Sequence, residues 1–217
     1  AYAVQTVVSN QLGPAGAFKT GRKDACDTSI MAPIPQDCVR SSPALFDTSQ
    51  MRMVGVELEI AFRLETEPPA PSDPDFEERL RSAASVVAVI EVVDCRLSEV
   101  DNPDPIAKLA DNQFGYGLVV GEPIPLTSDQ SLDTATIQFR ANSTMLGDGP
   151  VDVPGGDAFA TFAAFARMVG THCGGLHAGQ VVTTGALSGL HFIDKHADVE
   201  GTIAGLGSVS ARFGGAV

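Results

Sequence analysis

Three glutamates set in apolar surroundings are the residues of this chain best placed to do chemistry. Glu57 and Glu59 lie one residue apart in VGVELEIAF, and Glu91 lies inside SVVAVIEVVDCR. Strand side chains alternate between faces, so Glu57 and Glu59 point the same way, roughly 7 Å apart along the strand. The other face would carry Val56, Leu58, Ile60, Phe62 and Leu64, all apolar. On pattern alone, two glutamates spaced like this form solvated surface. Glu91 alters that balance, because it follows Val86, Val87, Ala88, Val89 and Ile90 and precedes Val92 and Val93. A lone carboxylate there carries a heavy desolvation cost unless it is paired, protonated or bound to metal. Three carboxylates converging on one hard cation, Mg²⁺, Mn²⁺ or Ca²⁺, would remove that cost and leave positions open for substrate and water. An arginine partner is the competing explanation, with Arg63 and Arg96 both available.

The elements that must position these residues follow from periodicity and turn chemistry. Residues 1–12 read as an amphipathic helix closed by Gly13. Residues 14–50 hold turns and short extended pieces, among them AFKTG and PALFD, and 52–64 form the glutamate strand. A proline-rich loop at 65–74 leads to a helix with Asp73 as N-cap and Pro74 at its first position, then to the strand around Glu91. A loop with one short helix precedes the strand GYGLVVGEPIPL. TATIQFRANSTML alternates and is expected to turn at Gly147-Asp148-Gly149 before VDVP. Asp157 caps AFATFAAFARMV, which Gly170 stops. GQVVTTGAL reads as a buried strand, and GTIAGLGSVSARF ends as another. The division expected is an N-terminal helix and connecting segment over 1–50, packed on a metal-binding mixed β domain over 51–217.

Composition bounds the remaining possibilities. The 217 residues are 44% hydrophobic and 19% charged, with 22 glycines and 14 prolines, which suits a loop-rich, β-containing globular protein. A net charge of −13 disfavours nucleic acid and anionic membranes as partners, although a bound cation can reverse the sign locally. No run of 18 apolar residues and no signal peptide is visible, so a cytoplasmic protein with reduced thiols is expected. Cys26, Cys38, Cys95 and Cys173 lack metal-type spacing. His172, Cys173 and His177 could suggest zinc, but their irregular glycine-rich spacing reads as a loop. No dinucleotide fingerprint, P-loop or nucleophile elbow is present.

Five ordered segments, VGVELEIAF, AVIEVVDCR, KLADNQFGYGLVVG, LHAGQVVTTGAL and GLGSVSARF, resemble the 2-keto-4-pentenoate hydratase branch of the fumarylacetoacetate hydrolase superfamily. The resemblance runs from AYAVQ to SVSARF, and AFKTG resembles that branch's strand bearing an active-site lysine, here Lys19. It implies an α+β fold, a mixed β-sandwich or roll with flanking helices. It implies Mg²⁺ or Mn²⁺ held by Glu57, Glu59 and Glu91, the three residues selected above. It also implies a 2-oxo or 2-hydroxydienoic acid chelated to the metal, with hydration as the reaction, and a homo-oligomer. Decarboxylases and acylpyruvate C–C hydrolases share the scaffold, and a non-catalytic metal or 2-oxo acid binding protein is a further reading. Lys19 would serve as an electrostatic clamp or proton relay, or be a solvated edge lysine. Asp111, with Asn112, would brace the site loop or cap a helix. Thr184 would donate its hydroxyl to the substrate carboxylate, or be a structural strand threonine. Asp94 and Arg96 are expected to form an ion pair supporting Glu91.

The chain departs from that branch around the metal box. RKDACD follows AFKTG where the branch has a hydrophobic-Thr-Ser sequence. TSIMAPIPQD offers no aligned acid, with Asp27 and Asp37 nearby. Gln113 and Phe114 stand where the branch has small polar residues, and Phe114 is expected to narrow or dry the pocket.

Overall fold

The computed structural model describes residues 1–22, 24, 26, 29–98, 102–127 and 130–215. In chain order come α1 (Tyr2–Leu12), β1 (Ala15–Lys19), β2 (Ala32–Pro35), β3 (Val39–Ser41), β4 (Ala44–Asp47) and β5 (Val54–Leu64). They are followed by α2 (Phe76–Ser82), β6 (Ala84–Val93), α3 (Pro105–Ala110), β7 (Gly115–Val120), β8 (Ile124–Pro125), β9 (Thr134–Ala141) and β10 (Thr144–Asp152). The last elements are α4 (Ala158–Met168), β11 (Val181–Ala186), β12 (His191–Ile193), β13 (Ala197–Ile203) and β14 (Gly207–Gly214). Among the described residues they build a nine-stranded mixed sheet, β2-β1-β11-β5-β6-β7-β3 with β12 on β5 and β8 on β6, and a five-stranded sheet, β10-β9-β13-β14-β4. This is the expected mixed β architecture with few flanking helices.

The long strands β5 and β6 are antiparallel neighbours at the centre of the larger sheet. Their β-branched runs suit a strand buried on both faces. One face carries Val56, Leu58, Ile60 and Phe62 of β5 with Val86, Ala88, Ile90 and Val92 of β6. It packs under α4, where Phe62 stacks on Phe162 at 4.8 Å between ring centroids, and under the second sheet. The sheets approach closely at Gly201, where a Cβ would fall 2.5 Å from a methyl of Leu58. The other face turns inward, because the sheet curls until β2 comes against β7. Ala17, Ile34, Ala61, Val87, Val89, Leu118 and Val181 fill the resulting interior with small and branched side chains.

Several sequence expectations change here. Residues 1–50 supply strands to both sheets rather than packing on a domain that begins at residue 51. Helix α1 forms and ends at Gly13, but Val4, Val7 and Leu12 face solvent while Gln5 is fully buried. The Gln5 amide donates to the carbonyls of Met31 (3.0 Å) and Leu109 (2.6 Å) and accepts from His172 Nε2 (2.8 Å). Those polar contacts override the weak apolar stripe. Helix α2 starts at Phe76 with Asp75 as N-cap, later than expected, and Asp73 instead accepts from the Arg79 guanidinium at 2.5 Å. The β9–β10 hairpin turns at Asn142, which adopts φ 51°, and Gly147-Asp148-Gly149 lies inside β10. Asp157 does cap α4, accepting from Ala160 N at 2.8 Å. No helix among the described residues is long and apolar enough to cross a membrane. The four cysteines are unbridged.

Candidate metal centre and its lysine

The register of β5 against β6 sets Glu57 directly opposite Glu91, and Glu59 opposite Val89. One carboxylate oxygen from each of Glu57, Glu59 and Glu91 can be chosen so that all three lie within 4.8 Å of one another. Glu91 is completely buried and Glu59 nearly so, while Glu57 is half-buried and marks the open side. Among the described residues this is the only such convergence of potential ligands. His172, Cys173 and His177 do not form one. His172 bonds Gln5, and His177 pairs with Glu67 through Nδ1 at 3.2 Å.

Lys19 reaches this cluster from β1, which β11 separates from β5. Only the curl of the sheet allows that approach, since the lysine crosses the enclosed interior. Its ammonium pairs with Glu91 Oε1 and donates to the Gln113 carbonyl at 3.1 Å. Neither Arg63 nor Arg96 serves as the partner of Glu91. Arg63 pairs with Glu65, and Arg96 with Asp111. Asp94 is not the partner of Arg96 either. Its carboxylate accepts from the backbone N–H groups of Arg52 and Met53, tying the start of β5 to the end of β6.

The electrostatics follow from burial over an apolar floor. Burial pushes Glu91 up to about 7 from its ordinary 4.5, with Glu57 adding to the rise and Lys19 opposing it. Burial, and then the charges of Glu91 and Glu57, push Glu59 well above 4.5, while Lys19 and the Gly185 N–H oppose the rise. Burial alone would lower Lys19, yet the surrounding carboxylates raise it, so it stays an ammonium. Glu91 Oε2 is buried without a hydrogen-bond partner among the described residues. A buried glutamate with an oxygen free of hydrogen bonds among the described residues, converging with two more carboxylates, fits a hard divalent cation, and the all-oxygen donor set suits Mg²⁺ or Mn²⁺.

Two backbone features that sequence reasoning missed complete the site. The β11–β5 register shifts between Thr183 and Ala186. Gly185, at φ 120°, donates its N–H to Glu59 Oε2 at 2.8 Å. A bulge re-aims a backbone group in this way. The regular pairing of β11 with β5 up to Thr183, before the bulge, decides between the adjacent threonines. Thr184 gives its hydroxyl to the Ile60 carbonyl at 2.8 Å. Thr183 pairs with both Lys19 and Ala61, so it shares their inward face, and its buried hydroxyl has no partner among the described residues. Strict alternation would have separated the two threonines, but nothing in TTGAL says which faces inward.

The second feature is the turn between α3 and β7. Asn112, Gln113 and Phe114 have φ values of 53°, 52° and 64°, three consecutive left-handed residues without a glycine. Such residues cost roughly 1–3 kcal/mol each and persist only where their surroundings over-determine them. The turn aims the Gln113 carbonyl at Lys19 and buries Phe114 against Val93 and Cys95. Phe114 therefore packs at the end of β6, with Lys108 over its ring at 5.2 Å. Asp111 does not touch the three glutamates in this arrangement, because its carboxylate is taken by Arg96. Asp37 is exposed in a one-turn 3-10 segment, and Asp27 lies outside the described residues.

No protein-family profile matches the chain. Solved structures do resemble it. 4-Oxalocrotonate decarboxylase from Pseudomonas putida G7, complexed with magnesium and adipate, is 22% identical with a TM-score of 0.78, covering 98% of this chain and 84% of that one. Fumarylpyruvate hydrolase from Pseudomonas aeruginosa, in complex with Mn²⁺ and pyruvate, is 14% identical with a TM-score of 0.62, covering 90% and 88%. A probable 2-hydroxyhepta-2,4-diene-1,7-dioate isomerase from Mycobacterium abscessus is 16% identical with a TM-score of 0.64, covering 94% and 76%. These neighbours are members of the fumarylacetoacetate hydrolase superfamily, and this chain has their fold.

Proposed function

We propose that this chain is a divalent-metal-dependent lyase acting on a 2-oxo or 2-hydroxydienoic acid. The observation that carries the reading is the convergence of Glu57, Glu59 and Glu91 beside a buried lysine, with Glu91 Oε2 unpartnered among the described residues. Glu57, Glu59 and Glu91 would hold Mg²⁺ or Mn²⁺, which supplies Lewis-acid stabilisation of negative charge developing on the 2-oxygen of a chelated substrate. Lys19 places a positive charge on the same face and can deliver a proton to the developing anion. The Gly185 N–H holds Glu59 in a single orientation, so that a ligand oxygen stays directed at its neighbours. The apolar floor of Ala61, Val87, Val89 and Leu118 excludes water from beneath the site. Asp111 braces the site loop in this reading, and Thr184 supports β5 rather than substrate.

Hydration is the reaction that the resemblance to the 2-keto-4-pentenoate hydratase branch supports. Decarboxylation is supported by a separate observation, the TM-score of 0.78 to a 4-oxalocrotonate decarboxylase against 0.62 to a fumarylpyruvate hydrolase. Both reactions pass charge to the 2-oxygen, so the machinery above serves either. The resemblance also supports a homo-oligomer, which sedimentation would test.

The test begins with calorimetry of Mg²⁺ and Mn²⁺ binding, with and without oxalate or pyruvate. The reading expects the 2-oxo acid to bind only with metal. The metal-loaded protein is then given 2-hydroxypenta-2,4-dienoate and 4-oxalocrotonate. Hydration keeps every carbon and decarboxylation releases CO₂. Metal binding without turnover of any dienoate would leave a non-catalytic binding protein, and no metal binding would end the lyase reading.

A further inference from the structure

We infer that Arg96 is a positioning residue for Lys19, acting through the left-handed turn at Asn112–Phe114. For the part Lys19 plays in catalysis this rests on the lyase reading, whereas the contacts of Arg96 do not depend on it. The guanidinium spans both ends of the turn. Its Nε donates to Asp111 Oδ1 at 2.6 Å, and its Nη2 donates to the Asp111 carbonyl at 2.8 Å and to the Gly115 carbonyl at 3.1 Å. Its backbone N–H adds a bond to Asp111 Oδ2 at 3.2 Å. One side chain thus binds the residue before the turn and the residue after it.

Between those two anchors, Gly115 N–H donates to the Asn112 carbonyl. Phe114 N–H bonds the Asp111 carbonyl at 2.8 Å, and the Phe114 carbonyl accepts from Asp94 N–H at 3.0 Å. Gln113, at the apex, presents its carbonyl to the Lys19 ammonium. Left-handed φ at Gln113 and Phe114 is unfavourable for such side chains, so an unclamped turn would relax and carry that carbonyl away. Gly115 lies at the other point of contact. A Cβ there would sit 3.3 Å from Lys19 Cδ, so a shift of the turn is felt along the lysine stem. Arginine suits the task because its planar fork meets two carbonyls and a carboxylate together, which a lysine cannot do.

Arg96→Ala, studied in the full chain with Mg²⁺, tests the inference by structure and by kinetics. In its crystal structure the Gln113 carbonyl should leave hydrogen-bond distance of Lys19 Nζ, while Glu57, Glu59 and Glu91 keep their places. Mg²⁺ affinity should stay within about threefold of wild type, and kcat should fall about 10- to 100-fold at little-changed KM, the cost of small misplacement of a catalytic group. Added guanidinium should restore part of kcat, and Arg96→Lys should recover little. Asp111→Ala removes the carboxylate anchor without removing the arginine, and serves if Arg96→Ala fails to fold. A Gln113 carbonyl that stays on Lys19 in these variants overturns the inference, as does an unchanged kcat. A displaced carbonyl in a protein whose wild type turns over no dienoate would sustain the positioning contact and sink the lyase reading instead.

Discussion

The two faces of β5 and β6 solve burial in opposite ways. Leu58 and Glu59 are adjacent, both at most 3% exposed, and they point to opposite sides of the same sheet. Leu58 meets α4 and the second sheet through an apolar cluster that needs no particular partner beyond a matching shape. Glu59 meets Glu57, Glu91 and Lys19, where each charge is costly unless another is placed correctly. The first face is where stability is gained and the second is where it is spent on clustered buried charge. Neighbouring residues should therefore respond to substitution in different observables.

The largest effect is expected on the apolar face. Leu58→Ala should cost about 2–5 kcal/mol of stability, read by denaturant unfolding. Metal affinity of the folded protein should hardly change, and a parallel loss of affinity would show that the faces are not independent. Glu59→Gln should lower Mg²⁺ affinity about 100-fold, or roughly 2.8 kcal/mol, in calorimetry. Retained affinity would remove Glu59 from the site.

The pH dependence separates the faces further. In the proposed site, metal must displace protons from Glu59 and Glu91, so affinity should fall at least about tenfold per pH unit below about 7, and about a hundredfold per unit where both carry a proton. Without metal the sign for stability reverses. A carboxyl whose folded value is raised keeps its proton after the unfolded chain has released it. Metal-free stability should therefore decline between pH 4.5 and about 7, and the gain in Tm on adding Mg²⁺ should be larger at pH 8 than at pH 5. The raised Lys19 acts in another window, above 10.5. A flat metal-free profile would mean that the glutamates are better solvated than their burial indicates. The smallest effect is a gain. Glu59→Gln should stabilise the metal-free protein at pH 8 by about 1 kcal/mol, because an amide can still accept from Gly185 without the buried charge.

Much of the second face was legible before the fold was known. The spacing of Glu57 and Glu59 and the apolar run around Glu91 were enough to bring three carboxylates under suspicion, because alternation and desolvation are local properties. Helix α4 and its Asp157 cap were equally plain, since a cap and an apolar period lie within one segment. The partner of Glu91 was not legible. Arg63 and Arg96 were nearer in sequence, yet Lys19 is 72 residues away and arrives only because the sheet curls on itself. The choice between Thr183 and Thr184 depended on the register of β11 against β5, and the orientation of Gln113 on a backbone strain that no side-chain pattern announces.

What the amino-acid sequence determined by itself, then, was composition of the faces: which residues alternate, which strand bears carboxylates, and which helix is apolar. Those follow from the period of the backbone and the transfer energies of side chains. What only the tertiary structure decided was pairing. Lys19 meets Glu91 and Gly185 meets Glu59 because strands distant in the chain are brought into one register around a shared interior, and Arg96 meets Asp111 and Gly115 because the connection from β6 to β7 folds back on itself. The Lys19–Glu91 and Gly185–Glu59 contacts are sums of long-range placements, because their two ends lie far apart in the chain.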